Sequence, residues 1–322
     1  MLNIPMKTLS SWLIAWALSL LTLAATAAPI QIAVIPKSVG NEYWAAVQAG
    51  AMRAKADLAT EGIAVDILWK GTEREDQIDQ QKQIVADFVA QKVDAIVLAP
   101  MHARYLVPAV EAAVAAKVPV ILIDSSLNSA VATSTVATDN YRAGMFAARR
   151  LAEVIGGKGK VLMLRFQPGH ASTAPRESGF LDTIKKHSEI EVVSSDQFAG
   201  PTVESAQKAG QALLDRFGGD LKGVFTPNLI STTGMLQALR AAGLAGKVSF
   251  VGFDSTTEQI EALRKGEMQG MMVQQPFMMG YTGVRSAVAA LQGKPVDKEV
   301  ATDAKLVTKD NLDTPEIQRL LK

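Results

Sequence analysis

Chemistry on this chain starts with Lys37, Asn41, Tyr43 and Trp44, which follow one another within eight residues. An apolar run, Ile30–Ile35, stops at Pro36, and beyond Trp44 the chain turns Ala-rich and helical. A buried strand that ends by presenting an ammonium, an amide and two adjacent aromatics suits a polar, ring-shaped small molecule. The rings offer flat apolar faces, and the lysine and amide offer fixed hydrogen-bond partners. The same residues also fit a plainer arrangement: a core strand, a solvated Lys–Asn turn and a helix that buries both rings.

Other polar residues fall at equivalent places. Val118–Ile123 ends in Asp124-Ser125-Ser126. Lys160–Leu164 leads to Arg165-Phe166-Gln167 and then Arg176, and Glu191–Ser195 leads to Asp196-Gln197-Phe198. Gly223–Phe225 leads to Thr226-Pro227-Asn228, Val248–Gly252 to Asp254, and Met271–Val273 to Gln274. Carboxylates accept, amides do both, and a guanidinium donates in a fixed fork, a set suited to hydroxyl groups. Each polar residue could instead be a helix N-cap, the ordinary role of Asp, Ser and Asn just before a helix.

The elements that must hold these residues are short β-branched runs alternating with helical stretches such as Glu42–Ala59, Glu73–Ala90, Arg142–Ile155 and Met279–Leu291. Buried strands alternating with amphipathic helices predict an α/β fold with parallel sheets covered on both faces. In such sheets ligands sit beyond the carboxyl ends of the strands, where the polar residues cluster. Nine strand-like runs are visible. For this length two doubly wound domains suit better than one wide sheet, with a break near Val131–Asn140, a polar Thr/Ser stretch.

Residues 1–27 are set apart from the fold. Lys7 is their only charge, Trp12–Ala24 is mostly apolar, and Ala25-Thr26-Ala27 fits a cleavage site, the layout of a secretory signal peptide. Without that segment the 33 basic and 32 acidic residues become balanced, which argues against nucleic acid or a membrane surface as partner. There is no cysteine, so disulfides, thiol catalysis and a lipid-modified N-terminal cysteine are excluded, and the expected location is a Gram-negative periplasm.

Enzyme signatures are missing. The sequence has no G-x-G-x-x-G, P-loop, H-E-x-x-H or G-x-S-x-G, and His102, His170 and His187 lack metal-ligand spacing. No cofactor and no catalytic residue is expected.

The blocks IAVIPKSVGNEYWAAVQAGA (32–51), VDAIVLAP (93–100), VPVILIDS (118–125), ATDN (137–140), VFTPN (224–228) and FVGFDSTTEQIEALRKGEMQG (250–270) resemble, in order and spacing, the periplasmic sugar-binding proteins of the ribose-binding, type I class. That class feeds ABC importers. The resemblance implies two lobes joined by a three-segment hinge, residues 28–138 with 275–303 and 139–274 with 304–322. It implies a monomer that closes on a monosaccharide or polyol and delivers it to a membrane permease, or presents it to a chemoreceptor or histidine kinase. It further implies that Tyr43 and Trp44 stack on the ring beside Lys37 and Asn41. Asp124, Arg176, Asn228, Asp254 and the hinge-side Gln274 would bond hydroxyls, and Phe198 would close the other face. Ribose binders carry arginine where Ser125 stands and a small hydroxyl residue where Lys37 stands, so ribose itself is not the expected ligand. Lys37 and Pro227 also resemble the quorum-signal furanose binders, but the Asp-Gln pair of those proteins is replaced by Thr-Ala-Pro-Arg-Glu.

Overall fold

A computed structural model describes residues 28–321; the expected signal peptide lies outside them. The chain builds two six-stranded sheets. In order, the elements reaching the first crossover are β1 (Ile30–Ile35), α1 (Glu42–Thr60), β2 (Val65–Trp69), α2 (Ile78–Ala90), β3 (Ala95–Leu98), α3 (Val107–Ala115), β4 (Val120–Ile123) and β5 (Ser134–Thr138). Next come α4 (Asn140–Val154), β6 (Lys158–Met163), α5 (Thr173–Ile184), β7 (Glu189–Ser194), α6 (Val203–Phe217), β8 (Leu221–Phe225), α7 (Leu229–Ala241), β9 (Ser249–Phe253), α8 (Thr257–Lys265) and β10 (Gly270–Val273). The chain ends with α9 (Pro276–Leu291), β11 (Glu299–Thr302), β12 (Lys305–Val307) and α10 (Pro315–Leu320).

The first sheet has the order β11-β5-β4-β3-β1-β2 and the second β12-β10-β9-β8-β6-β7. All neighbours are parallel except β10 and β12, which run antiparallel. The chain therefore passes between sheets after β5, after β10 and after β11. Continuous apolar strands such as AIVL in β3 and VILI in β4 are wholly buried because helices cover both faces.

Three of the twelve strands, β5, β11 and β12, lie outside the nine runs read from the sequence. The polar stretch expected as a break contains β5, whose residues alternate buried and half-buried. Its Thr and Val side chains are β-branched, which favours a strand, while its hydroxyls gave it the look of a linker. The crossover follows immediately, at Asp139, whose side chain accepts the Arg142 N–H and caps α4.

Two helix pairs set the positions of the strand-end loops. α1 packs on α9 beside the first sheet, and α4 packs on α5 beside the second. Both crossings are close enough to require glycine. A Cβ on Gly50 would lie 1.9 Å from the Phe277 carbonyl oxygen, and one on Gly144 would lie 2.0 Å from the Arg176 carbonyl oxygen.

Candidate functional site

The carboxyl ends of the two sheets face each other across a cleft, and nine of the eleven residues expected at the site line it: Lys37, Asn41 and Asp124 from loops and Tyr43 and Trp44 from the first turn of α1 on the first sheet's side, Arg176 from the first turn of α5 with Asn228 and Asp254 from loops on the second's, and Gln274 at a crossover. Ser125 lies one layer behind them, fully buried. Phe198 does not reach the cleft.

On the first side Asp124 is the centre. Its Oδ2 is 2.6 Å from the Lys37 ammonium and accepts the Ser125 hydroxyl at 2.6 Å, while Oδ1 accepts the Tyr43 hydroxyl at 2.7 Å. Lys37 also donates to Ser125 Oγ and, across the cleft, to Ser172 Oγ at 3.1 Å. Burial opposes the charge on Asp124, but Lys37, Arg176 and these donors outweigh it and hold the carboxyl far below its ordinary range. Burial and the Asp124 charge push the Tyr43 phenol well up, so it stays a donor.

Asn41 and Asn228 are helix caps and site residues at once. Asn41 Oδ1 accepts the Trp44 N–H at the start of α1. Asn228 Oδ1 accepts the Ser231 N–H and hydroxyl, completing a capping box on α7. The cap consumes the carbonyl oxygen in each case, which leaves the amide nitrogen as the group to offer a ligand.

On the second side Arg176, 2% exposed, is fixed by three neighbours: Nε donates to Asn140 Oδ1, Nη1 to the Pro227 carbonyl and Nη2 to Gln274 Oε1 at 2.7 Å. Its guanidinium lies over the Phe253 ring at 4.1 Å. Gln274 Oε1 also accepts the Thr138 hydroxyl, and its Nε2 donates to Asp254 Oδ1. Asp254 Oδ2 accepts the Leu229 N–H. Burial pushes the Asp254 carboxyl up, against the opposing pull of Arg176 and Gln274.

Phe198, expected as the aromatic lid on this side, is not among the residues that line the cleft. Phe198 sits under the Arg165 guanidinium at 4.7 Å and pairs with Arg165 along the backbone, on the sheet edge beyond β7. Leu229 and Ile230, the first residues of α7, supply the apolar wall instead. Their signal in the sequence is plain in retrospect, since a helix that starts beyond a site's cap points its first turn at the site. Trp44 also differs from expectation. It is 2% exposed, meets Tyr43 edge to face, and its indole N–H donates to Glu75 Oε1 at 2.8 Å.

Glu75 and Ser172 line the cleft as well and were not expected there, and so does His170, which follows a strand and for which a ligand contact was open but not favoured. Glu75 was read as part of a helix from Glu73, but α2 begins only at Ile78. The Gln77 side chain accepts the Glu73 and Arg74 N–H groups and holds the preceding residues in a loop. Among the described residues no group of His, Asp and Glu has the arrangement of a metal site. Fixed donors and acceptors around a small apolar-walled space can bind a polyhydroxylated molecule.

The chain is similar to known proteins over most of its length. Residues 32–295 match the model of the family described as periplasmic binding protein domain. The ribose import binding protein of Bacillus subtilis is 30% identical over 237 residues, covering 72% of this chain and 75% of that protein. The D-allose-binding periplasmic protein of Escherichia coli is 26% identical, covering 95% of this chain and 98% of its own. Among solved structures, a carbohydrate transporter solute-binding protein from Agrobacterium radiobacter in complex with D-arabinose is 34% identical, with a TM-score of 0.87 over 92% of this chain and 100% of that one. An ABC transporter solute-binding protein from Agrobacterium vitis with bound D-fucose is also 34% identical, with a TM-score of 0.83 over 91% and 100%.

Proposed function

This chain belongs to the periplasmic binding protein family, and from that premise we propose that it is the solute-binding component of an ABC importer, taking a monosaccharide or related polyol into the cleft. One observation carries the reading. Two carboxylates, an ammonium, a guanidinium and two caps with free amide nitrogens converge on one space walled by Tyr43, Trp44, Leu229 and Ile230. Hydroxyl groups of a ring would donate to the remaining lone pairs of Asp124 and Asp254 and accept from Asn41, Asn228 and Arg176. The ring's apolar face would lie against the aromatic and aliphatic walls.

The mechanism is closure. Lobes of residues 28–138 with 275–303 and 139–274 with 304–322 would turn about three crossing segments, since hydroxyls bonded from both sides favour the closed form. A ligand shifts such an equilibrium only by binding closed better than open. The closed protein would then be read by a membrane permease, in the periplasm. Relatives bind D-arabinose, D-fucose and D-ribose, and Lys37 and Ser125 locked on Asp124 point away from ribose: a hydroxyl and an ammonium there cannot reproduce the fork of an arginine.

Calorimetry against a panel of aldoses, ketoses and polyols tests the reading. We expect at least one member to bind with a 1:1 stoichiometry. A folded protein that binds none of them overturns it.

A further inference from the structure

Glu75 and His170 approach each other from opposite sides of the cleft. Glu75 stands in the loop after β2, His170 in the loop after β6, and Oε2 lies 3.3 Å from Nε2 with both side chains buried. Away from the crossovers, the side-chain hydrogen bonds that span the cleft among the described residues are this one and Lys37–Ser172. Glu75 is braced by the Trp44 indole, so the ring that walls the ligand space and the bridge across it share one carboxylate. We propose that Glu75 and His170 form a latch that holds the lobes closed and releases them on acidification, so that ligand retention falls as pH falls. The proposal rests on the closure reading above.

The geometry sets the direction. With Nε2–H donating to Glu75, the neutral imidazole leaves Nδ1 as a bare acceptor, and Nδ1 is buried with no partner among the described residues. Protonation would place a second N–H there with nothing to accept it, at a cost in the closed form that an open, hydrated ring does not bear. The charged groups facing His170 are Glu75, Lys37 and Asp124, and the His102 ring lies against the neighbouring Gly169. Burial and the Lys37 ammonium lower the His170 pKa from 6.5 to about 4, ahead of the opposing pull of Glu75 and Asp124. Burial opposes ionisation of Glu75, but His170, Lys37 and Trp44 outweigh it and lower its pKa. A histidine whose pKa is lower when closed takes up a proton on opening. Closure is then fully favoured above about 6.5 and weakens by up to about tenfold per pH unit below it. The Glu75 shift acts in the same direction at lower pH.

Absence of cysteine permits a clean test. Spin labels at Glu111→Cys and Lys208→Cys, two exposed positions on opposite lobes, report the lobe separation in wild type, Glu75→Gln, His170→Gln and a His102→Gln control at pH 7.5 and pH 5. Melting curves confirm that each variant folds, and the two latch variants come from opposite sides so that either alone suffices. We expect acid to move wild type and His102→Gln toward longer separations, His170→Gln to be open more often at pH 7.5 with a smaller response to acid, and Glu75→Gln to be open more often at pH 7.5 while keeping the response that His170 carries. Unchanged populations at pH 7.5 in the latch variants, or an unchanged acid response in His170→Gln, overturn the proposal, as does loss of the response in His102→Gln alone. Calorimetry with D-arabinose, D-fucose and D-ribose at both pH values separates the two readings. No binding by any sugar, with label populations still governed by the latch variants, removes the sugar reading and leaves the latch. Binding of equal strength at both pH values in wild type removes the latch.

Discussion

Asp124 and Asp254 are one device used twice. Each is the residue just past a central strand, β4 or β9, each holds a left-handed backbone at φ 64° and 66°, and each donates its N–H to the neighbouring strand, to the Val136 or Met272 carbonyl. The turn aims both carboxylates into the cleft, and aspartate is among the few residues that tolerate it. Their electrostatics then diverge. Asp124 faces an ammonium and is held ionised, whereas Asp254 faces an amide and a backbone N–H and is pushed up by burial.

That difference orders two isosteric substitutions. Asparagine keeps the left-handed turn in both cases. Asp124→Asn leaves the Lys37 ammonium buried without its counter-charge, a loss of about 3 kcal/mol or more. Asp254→Asn removes no ion pair and costs about 1 kcal/mol. Calorimetric melting without ligand should therefore rank wild type, Asp254→Asn and Asp124→Asn in falling stability, and the opposite order of the two variants would contradict the charge assignments.

Acid should separate the same pair. A folded-state pKa above 3.8 means that folding takes up a proton, so the Asp254 contribution to stability rises as pH falls from 7 toward 4. The advantage of wild type over Asp254→Asn should grow across that window. The Asp124 pKa is lowered, so its contribution is complete above 3.8 and is lost only as pH drops below that. Wild type should keep a constant advantage over Asp124→Asn between pH 7 and 5. Urea titrations at several pH values read both differences; the His170 contribution cancels for Asp254→Asn, and for Asp124→Asn the comparison is kept between pH 7 and 5, above the His170 pKa of about 4.

Arg176 tests the guanidinium fork. Lysine preserves the charge but cannot serve Asn140, Pro227 and Gln274 together or lie flat on Phe253. Arg176→Lys should weaken binding of the sugar identified in the panel by more than a hundredfold, about 3 kcal/mol. Calorimetry giving a loss under tenfold would show that charge alone matters there.

Much of this site was legible because strand ends announce it. A β-branched run followed by Asp, Asn or Gln can be found by eye, and Asp124, Asn228, Asp254 and Gln274 were all found that way. Glu75 and His170 were not, for a physical reason. Both sit in loops whose conformation depends on side-chain partners, a local one where Gln77 folds back on Glu73 and Arg74, and a distant one where His170 meets Glu75 across the cleft. Helical periodicity around Glu73–Ala90 hid the first, and an isolated histidine after a strand left a ligand contact open for the second without favouring it.

Phe198 stands apart from the other expected residues. An aromatic after a strand looks like a stacking face, but β7 is the edge strand of its sheet, and the Arg165 guanidinium lies over the Phe198 ring. Phe198→Ala should leave sugar affinity within about threefold of wild type. Ile230→Ala, which strips the apolar wall at the start of α7, should cost about 1–2 kcal/mol of binding. The two affinities measured side by side decide which residue faces the ligand.

The helix crossings give the last test, because one of them carries a site residue. Gly144 of α4 lies against the Arg176 backbone in α5, and Gly50 of α1 lies against Phe277 in α9. An added methyl must push the facing helix away at either place, at about 1–3 kcal/mol of stability. At Gly50 the displaced backbone belongs to Phe277, which does not line the cleft. At Gly144 it belongs to Arg176, whose three hydrogen bonds to Asn140, Pro227 and Gln274 tolerate little movement. Gly50→Ala and Gly144→Ala should thus lower the melting temperature by similar amounts, while only Gly144→Ala lowers sugar affinity, by about tenfold or more. Equal affinities in the two variants would show that Arg176 is positioned by its side-chain partners and not by the α4–α5 contact.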